Sequence, residues 1–262
     1  MHDPAPKPIS DRNGKLMMDP KTPALLTPAL REALLGISSA TLTYQLQQRG
    51  IRSTFLSGLK PLHPGLRMVG RARTLRYVAL REDVQKHYAS GMNVQKQLVE
   101  SAEPGDVLVI EARGVSDAAT IGDILATRAF TRGAAGIVTD GALRDTPAIA
   151  AIGKPVYHLS SHGATLGRMH MPYSIDEPIT CAGVFVVPGD VVVGDGEGVV
   201  IVPMALVEEV VRDALEQESR EAFALERVAA GESITGLFPL SDQRMGDYLA
   251  WAAARGKLDG SR

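Results

Sequence analysis

The sequence predicts an α/β protein, a β-rich frame around a central βαβ portion with helices at both ends. Three observations carry this. The tripeptide Pro-Gly-Asp occurs at 104–106 and again at 188–190, and each copy launches a run of apolar strand formers. Between the two copies, strand-like and helix-like stretches alternate. Outside them, helical periods flank the frame on both sides.

Residues 1–27 are polar and proline-rich and read as an extended arm, ahead of a main domain over 28–230 and a C-terminal extension over 231–262. Two helical stretches fill 28–49. Ser38 or Ser39 can cap the second, and Gly50 ends it. Pro61 and Pro64-Gly65 punctuate a loop. Residues 66–80, with Val69, Thr74, Leu75, Tyr77 and Val78, read as a strand. A polar, helical segment follows to about Ala102. Pro104-Gly105 suits a type II turn and opens a strand over 107–111. A helix near 123–132, a strand over 136–139, a short helix near 146–152 and a strand over 155–159 come next. After residue 180 short strands dominate, at 184–187, 191–193 and 199–202, separated by Gly and Asp turns. A long helix then runs from about Met204 to Ala230, with Val207, Val210, Val211, Ala214 and Leu215 at a helical period. The one tryptophan, Trp251, falls in the extension.

Composition narrows the function classes. The 262 residues suit one domain with terminal extensions. Aromatics make up 5%, so the core must be built from Val, Ile, Leu and Ala. A formal net charge of −2 gives no electrostatic case for nucleic acid or an anionic membrane. No apolar run approaches a membrane span, and the N-terminus lacks the basic start and apolar stretch of a signal peptide. The single cysteine, Cys181, leaves no intramolecular disulfide framework and no Cys-rich zinc site, so a reducing, cytoplasmic setting is expected. Of the 28 basic residues eight are lysines, and none lies in an apolar strand where desolvation would turn it into an imine-forming nucleophile. The glycines at 194–198 lie between strand-rich segments and open no helix, which argues against a dinucleotide site.

The stretch from Gly114 to Asp145 carries the chemistry. Gly122 immediately precedes a helical run beginning Asp123-Ile124-Leu125. First-turn amides of a helix are unpaired and seat a carboxylate or phosphate. About twenty residues on, a strand ends at Asp140-Gly141, and Arg144-Asp145 follow in a loop. Sites in α/β sheets lie beyond the C-terminal ends of strands. An arginine there can grip a carboxylate with two prongs, and an adjacent aspartate can hold a hard, water-retaining cation such as magnesium. These parts suit a 2-oxo acid, whose carboxylate must be seated and whose ketone must be polarised. With no suitable lysine, a metal Lewis acid is the preferred way to stabilise a pyruvate-type enolate.

GDIL at 122–125, TDGALRD at 139–145 and GVFVVPGDVVVGDGEGVVIVP at 183–203, in this order, resemble the RraA-like family. SSATLTYQL and LRMVGRARTL extend the resemblance N-terminally, so it covers about residues 36–215. That family contains metal-dependent 4-hydroxy-4-methyl-2-oxoglutarate and 4-carboxy-4-hydroxy-2-oxoadipate aldolases, and also the non-catalytic regulator of ribonuclease E. The resemblance implies a swivelling β/β/α fold, a small 2-oxo acid substrate, Mg²⁺ or Mn²⁺ as cofactor, and a homotrimer or dimer of trimers with the site near a subunit boundary. It also implies roles. The amides of Gly122, Asp123, Ile124 and Leu125 would bind the substrate carboxylate, Arg144 the ketone or carboxylate oxygens, and Asp145 the metal. Asp123 would orient a water for proton transfer. A neighbour's acid would act as base, with Asp195 and Glu197 as weak candidates. The long arm and tail place the chain nearest the longer branch labelled ribonuclease activity regulator. Both Asp123 and Asp145 are present, although the regulator proper does not keep all the acidic metal-site residues.

Plainer roles compete with these. Asp145 could cap a helix starting at Thr146-Pro147, Arg144 could be a surface ion-pair partner, and Asp123 suits any helix start. Gly122 could be a simple N-cap. His158, His162 and His170 lack the further ligands of a zinc site and read as structural or substrate-lining. Arg67, Arg71, Arg73 and Arg76 read as a solvated sheet face or subunit contact, with the three odd-numbered arginines on one side. The leading expectation is a metal-dependent lyase that cleaves a 4-hydroxy-2-oxo acid to pyruvate, with oxaloacetate decarboxylation as a side activity. The rivals are a non-catalytic, protein-binding regulator of a ribonuclease and a dehydratase or hydrolase on a sugar-derived 2-oxo acid.

Overall fold

The computed structural model describes residues 26–259, so nearly all of the arm expected over 1–27 lies outside the described residues. Thr27 and Ser38 accept hydrogen bonds from the amides of Leu30 and Thr41 and thereby start helices α1 (Pro28–Gly36) and α2 (Ser39–Gln48). Pro28 fits the first turn of α1, where an N–H has no intrahelical partner.

Among the described residues, nine strands form one sheet. In chain order, the first seven are β1 (Lys60–Pro61), β2 (Met68–Ala79), β3 (Asp106–Glu111), β4 (Ala119–Ile121), β5 (Gly136–Leu143), β6 (Val156–Ser161) and β7 (His170–Ile175). A separate hairpin follows, β8 (Ile179–Cys181) with β9 (Val184–Val186), and then β10 (Val191–Gly194) and β11 (Val199–Val202) complete the sheet. The order is β1-β6-β5-β3-β2-β10-β11, with β4 beside β5 and β7 beside β2. Strands β2, β3, β5 and β6 run parallel to one another, so each junction among them needs a crossover. Helices α3 (Gln85–Ala89) and α4 (Val94–Ser101) supply the first, α5 (Asp123–Thr131) the second and α6 (Thr146–Ala151) the third. Helices α7 (Val207–Ala229) and α8 (Met245–Asp259) follow the sheet.

The aliphatic core divides around the sheet. Leu98, Ala126, Ala129 and Ile149 pack the crossover helices against Leu108, Ile110 and Ile137. On the other flank Leu34, Leu42 and Leu46 meet Val191, Val193 and Val200 and the buried stripe of α7, Val207, Val210, Val211 and Ala214. Full burial of each such leucine is worth about 1.5–3 kcal/mol. Phe223, Leu237 and Tyr248 form a satellite cluster, with Trp251 packed against it, where α8 folds back on α7.

Several elements differ from the sequence expectation. The polar helix before Ala102 is two helices, because Gly91 takes φ +59 and Asn93 caps a new start by accepting from Lys96 N. The strand expected over 136–139 continues to Leu143, so Asp140-Gly141 lies inside β5 and not at its end. Asp140 is tolerated there because its carboxylate accepts from the amides of Ala112, Gly114 and Ala182. A register shift between Thr139 and Ala142 accommodates the pair, and a Cβ on Gly141 would sit 2.6 Å from Ala112 and Thr120. Strands β1, β4, β7 and β8 were not anticipated, and three of the four are no longer than three residues. The long helix opens with a 3₁₀ turn at Met204–Leu206 before α7 begins. Gly105 and Gly189, at φ +88 and +92, hold the two Pro-Gly turns. Of the arginine run, Arg71 and Arg73 converge on Asp106 while Arg76 pairs with Glu111.

Candidate active site

Strand β4 delivers Gly122 to the start of α5. Its middle carbonyl, Thr120 O, is held from two sides, by Tyr77 Oη at 2.8 Å and Gln95 Nε2 at 2.7 Å. Thr120 Oγ1 bonds Ala142 O at 3.0 Å. The strand is therefore fixed before the chain turns into the helix. Gly122 occupies the cap position in an extended conformation, and among the described residues no side chain caps α5. The first-turn amides consequently face outward, except that Asp123 Oδ1 accepts from Ile124 N at 2.8 Å. Ile124 is 79% exposed.

Beside β4, the end of β5 brings Arg144 and Asp145 to the same place, because Arg144 N bonds Ile121 O at 3.0 Å. Asp145 lies in the left-handed region, φ 56, a conformation that costs a non-glycine residue energy and clusters at functional sites. It stands at the cap position of α6, yet its side chain makes no capping hydrogen bond. The carboxylate turns toward α5 instead: a Cβ on Gly122 would lie 3.1 Å from Asp145 Oδ2. Arg144 Nε approaches Asp145 Oδ2 at 3.6 Å, and both side chains keep solvent contact.

Gly122, Asp123, Ile124, Leu125, Arg144 and Asp145 thus line one cavity of about 290 Å³. Sequence reasoning had named all six. It missed the walls: Gln95 on α4, Ala119, Thr120 and Ile121 on β4, and Thr165 and Leu166 on the loop after β6. No short motif carries these, since the fold assembles them from separated segments. Among the described residues, no three of His, Cys, Asp and Glu converge to enclose a metal ion. Asp145 and Asp123 offer one or two carboxylates in a cavity that water reaches, a donor set that fits a hard cation keeping most of its waters.

The histidines and the turn acids take other places. His162 Nε2 meets Asp117 at 3.3 Å, and Arg168 pairs with the same carboxylate at 2.9 Å. His158 bonds Lys60 O, and His170 stacks on Tyr77 with Arg113 at its Nδ1. Burial pushes both His158 and His170 below the ordinary histidine value, and for His170 the Arg113 charge adds to it. Asp195 sits in the β10–β11 turn with its oxygens already engaged by Ser39 N, Ser39 Oγ and Glu197 N. Burial works to raise its pKa, but these bonds outweigh it and hold the carboxyl below the usual range. In this chain Asp195 clamps α2 to the turn, while Glu197 is exposed.

Residues 27–201 match the model of the RraA-like family, described as Aldolase/RraA. The chain belongs to the RraA-like family. Its fold is the RraA-like one that the motifs implied. A Halalkalibacterium halodurans relative named "Putative 4-hydroxy-4-methyl-2-oxoglutarate aldolase" is 34% identical over 210 residues, covering 78% of this chain and 87% of that one. Streptomyces coelicolor RraAS2, described as an unusual member of the RNase ES inhibitor RraA protein family, superposes with a TM-score of 0.70. It is 34% identical, and the match covers 76% of this chain and 96% of that one. An uncharacterised Pseudomonas syringae protein superposes equally well, at 0.70 with 25% identity over 80% and 97% of the two chains. The RraA-like match ends before α7, so the α7–α8 hairpin is an addition to the matched region. Among the described residues, no helix is long and apolar enough to cross a membrane.

Proposed function

We propose that this RraA-like protein is a divalent-metal-dependent lyase. It cleaves a 4-hydroxy-2-oxo acid into pyruvate and a carbonyl compound, and decarboxylates oxaloacetate as a side activity. The observation that supports this best is the shared cavity, where a helix start, a guanidinium and the carboxylate of a residue with left-handed backbone face one small volume. The first-turn amides of α5 seat the substrate carboxylate. Arg144 holds the ketone or carboxylate oxygens and fixes the plane of the 2-oxo acid. Asp145 holds Mg²⁺ or Mn²⁺, with water completing the shell. The bound cation supplies Lewis-acid polarisation of the ketone. Asp123, half-buried at the helix start, orients a water for proton transfer. The relative named as a putative aldolase supports the reaction class. The assembly proposed with it is a trimer or a dimer of trimers.

The test is pyruvate release from oxaloacetate and from a 4-hydroxy-2-oxo acid, with magnesium and then with excess EDTA. Metal-dependent release that EDTA abolishes is the expected result. No release from either compound with metal present overturns the reading. The likeness to RraAS2 favours a second reading, a non-catalytic regulator that binds a ribonuclease. That reading requires no turnover together with a measurable complex with the ribonuclease.

A further inference from the structure

The anion seat at the start of α5 follows β4, and Arg144 and Asp145 follow β5. The two halves of the cavity are therefore carried by two neighbouring strands, and a ligand that meets both needs their spacing held. The ladder between the strands does not hold it evenly. Strand β4 pairs with β5 at Ala119 and at Ile121, with a register shift between them. Thr120 occupies that break.

The Thr120 side chain spans the irregularity, and the residue is 1% exposed. Its Oγ1 lies 3.0 Å from Ala142 O and 3.2 Å from Thr139 Oγ1, and Thr139 Oγ1 accepts from Gly141 N at 3.1 Å. A carbonyl only accepts, so the single Thr120 hydroxyl proton goes to Ala142 O. The Thr139 hydroxyl then donates to Thr120 Oγ1. This gives a directed chain from Gly141 N–H through Thr139 and Thr120 to Ala142 O, closed across the irregular part of β5. The Thr120 methyl packs where a Cβ on Gly141 would come within 2.6 Å of it. On the other side, the Thr120 carbonyl takes the bonds from Tyr77 on β2 and Gln95 on α4. Tyr77 and Gln95 are buried within this chain, so these ties stand whatever a neighbouring subunit adds to the cavity.

We infer that Thr120 is a positioning residue that joins the two halves of the site. Its carbonyl fixes the approach to Gly122, its hydroxyl fixes the approach to Arg144 and Asp145, and the spacing of seat and metal follows. The inference rests on the seat and metal roles proposed above. It predicts a coupling: a 2-oxo acid that bridges the halves binds more tightly in the presence of magnesium, by a factor that depends on their spacing. Magnesium gains the same factor from the acid.

Calorimetric titration with pyruvate, the product common to both proposed reactions, with and without saturating magnesium, reads that factor. At least about fivefold tighter binding in magnesium is expected of the unmodified protein. Thr120→Val keeps the shape of the side chain and removes the donor to Ala142 O, and its factor should fall to about twofold or less. Thr120→Ser keeps the hydroxyl and should retain the factor. The factor is a ratio within one folded protein, so a variant that is only less stable leaves it unchanged. A factor retained in Thr120→Val, or lost equally in Thr120→Ser, overturns the inference. Should Thr120→Val fail to fold, Tyr77→Phe decides. It removes one of the two donors to Thr120 O, and at least about threefold loss of the factor is expected, whereas an unchanged factor overturns the inference. No tightening by magnesium in the unmodified protein overturns the metal reading and the inference together. The lyase reading fails separately, by absence of pyruvate release even where the coupling holds.

Discussion

At the scale of single residues, Asp145 is the position where local structure gives way to chemistry. Its left-handed backbone is costly, and the side chain gains no capping bond in return. What it gains is a place beside the α5 seat, close enough that Gly122 leaves no slack. Gly122→Ala should therefore push the carboxylate by a few tenths of an ångström. About tenfold weaker magnesium activation is expected, read from the metal dependence of pyruvate release. Unchanged activation would show that the Gly122–Asp145 contact has no bearing on the metal. Arg144→Ala should lower kcat by on the order of 10²–10³-fold, because the developing oxyanion loses its charged partner. A loss confined to KM would reassign Arg144 to uniform binding. These site residues were legible because they sit in two short, ordered motifs. Gln95, Thr165 and Leu166 were not, because their place in the cavity depends on how α4 and the loop after β6 pack, which no local pattern encodes.

At the scale of elements, the site depends on how β4 and β5 are locked, and the body on how α2 is held to the β10–β11 turn. The turn and cap residues announced most of this: Ser38 starts α2, and the Pro-Gly pairs open β3 and β10 as their residue types require. What stayed hidden followed from tertiary satisfaction of polar groups. Asp140 reads as a strand end in sequence, yet three backbone donors keep it inside β5. Likewise Asp195 reads as a turn acid, yet it serves as a clamp. It is 7% exposed and anchors Ser39 at the start of α2 through 2.7 and 2.9 Å bonds. Asp195→Ala should destabilise the protein by about 2–3 kcal/mol in urea unfolding, since buried donors lose a charged acceptor. A change under about 0.5 kcal/mol would mean that the clamp is dispensable.

At the scale of the whole molecule, the α7–α8 hairpin adds a satellite core that is separate from the cluster behind the cavity. Stability of the body should also depend on pH through its buried histidines. His158 and His170 both have native pKa values below the ordinary 6.5, so the unfolded chain binds more protons than the folded one in that range. Their contribution is fully present above 6.5 and is lost as pH falls from there through the depressed native values. Unfolding free energy should drop as pH falls below about 6.5, and a His158→Gln, His170→Gln variant should show a smaller drop. Equal pH dependence in the two proteins would remove these histidines from the explanation.

The central claim is that the cavity joining the start of α5 to Arg144 and Asp145 carries metal-dependent chemistry. Pyruvate release from a 4-hydroxy-2-oxo acid, compared between the unmodified protein and Asp145→Ala in magnesium, tests it most directly. Release by the unmodified protein that disappears both in Asp145→Ala and under excess EDTA is the expected result. Full release by Asp145→Ala would contradict the claim and move the site elsewhere.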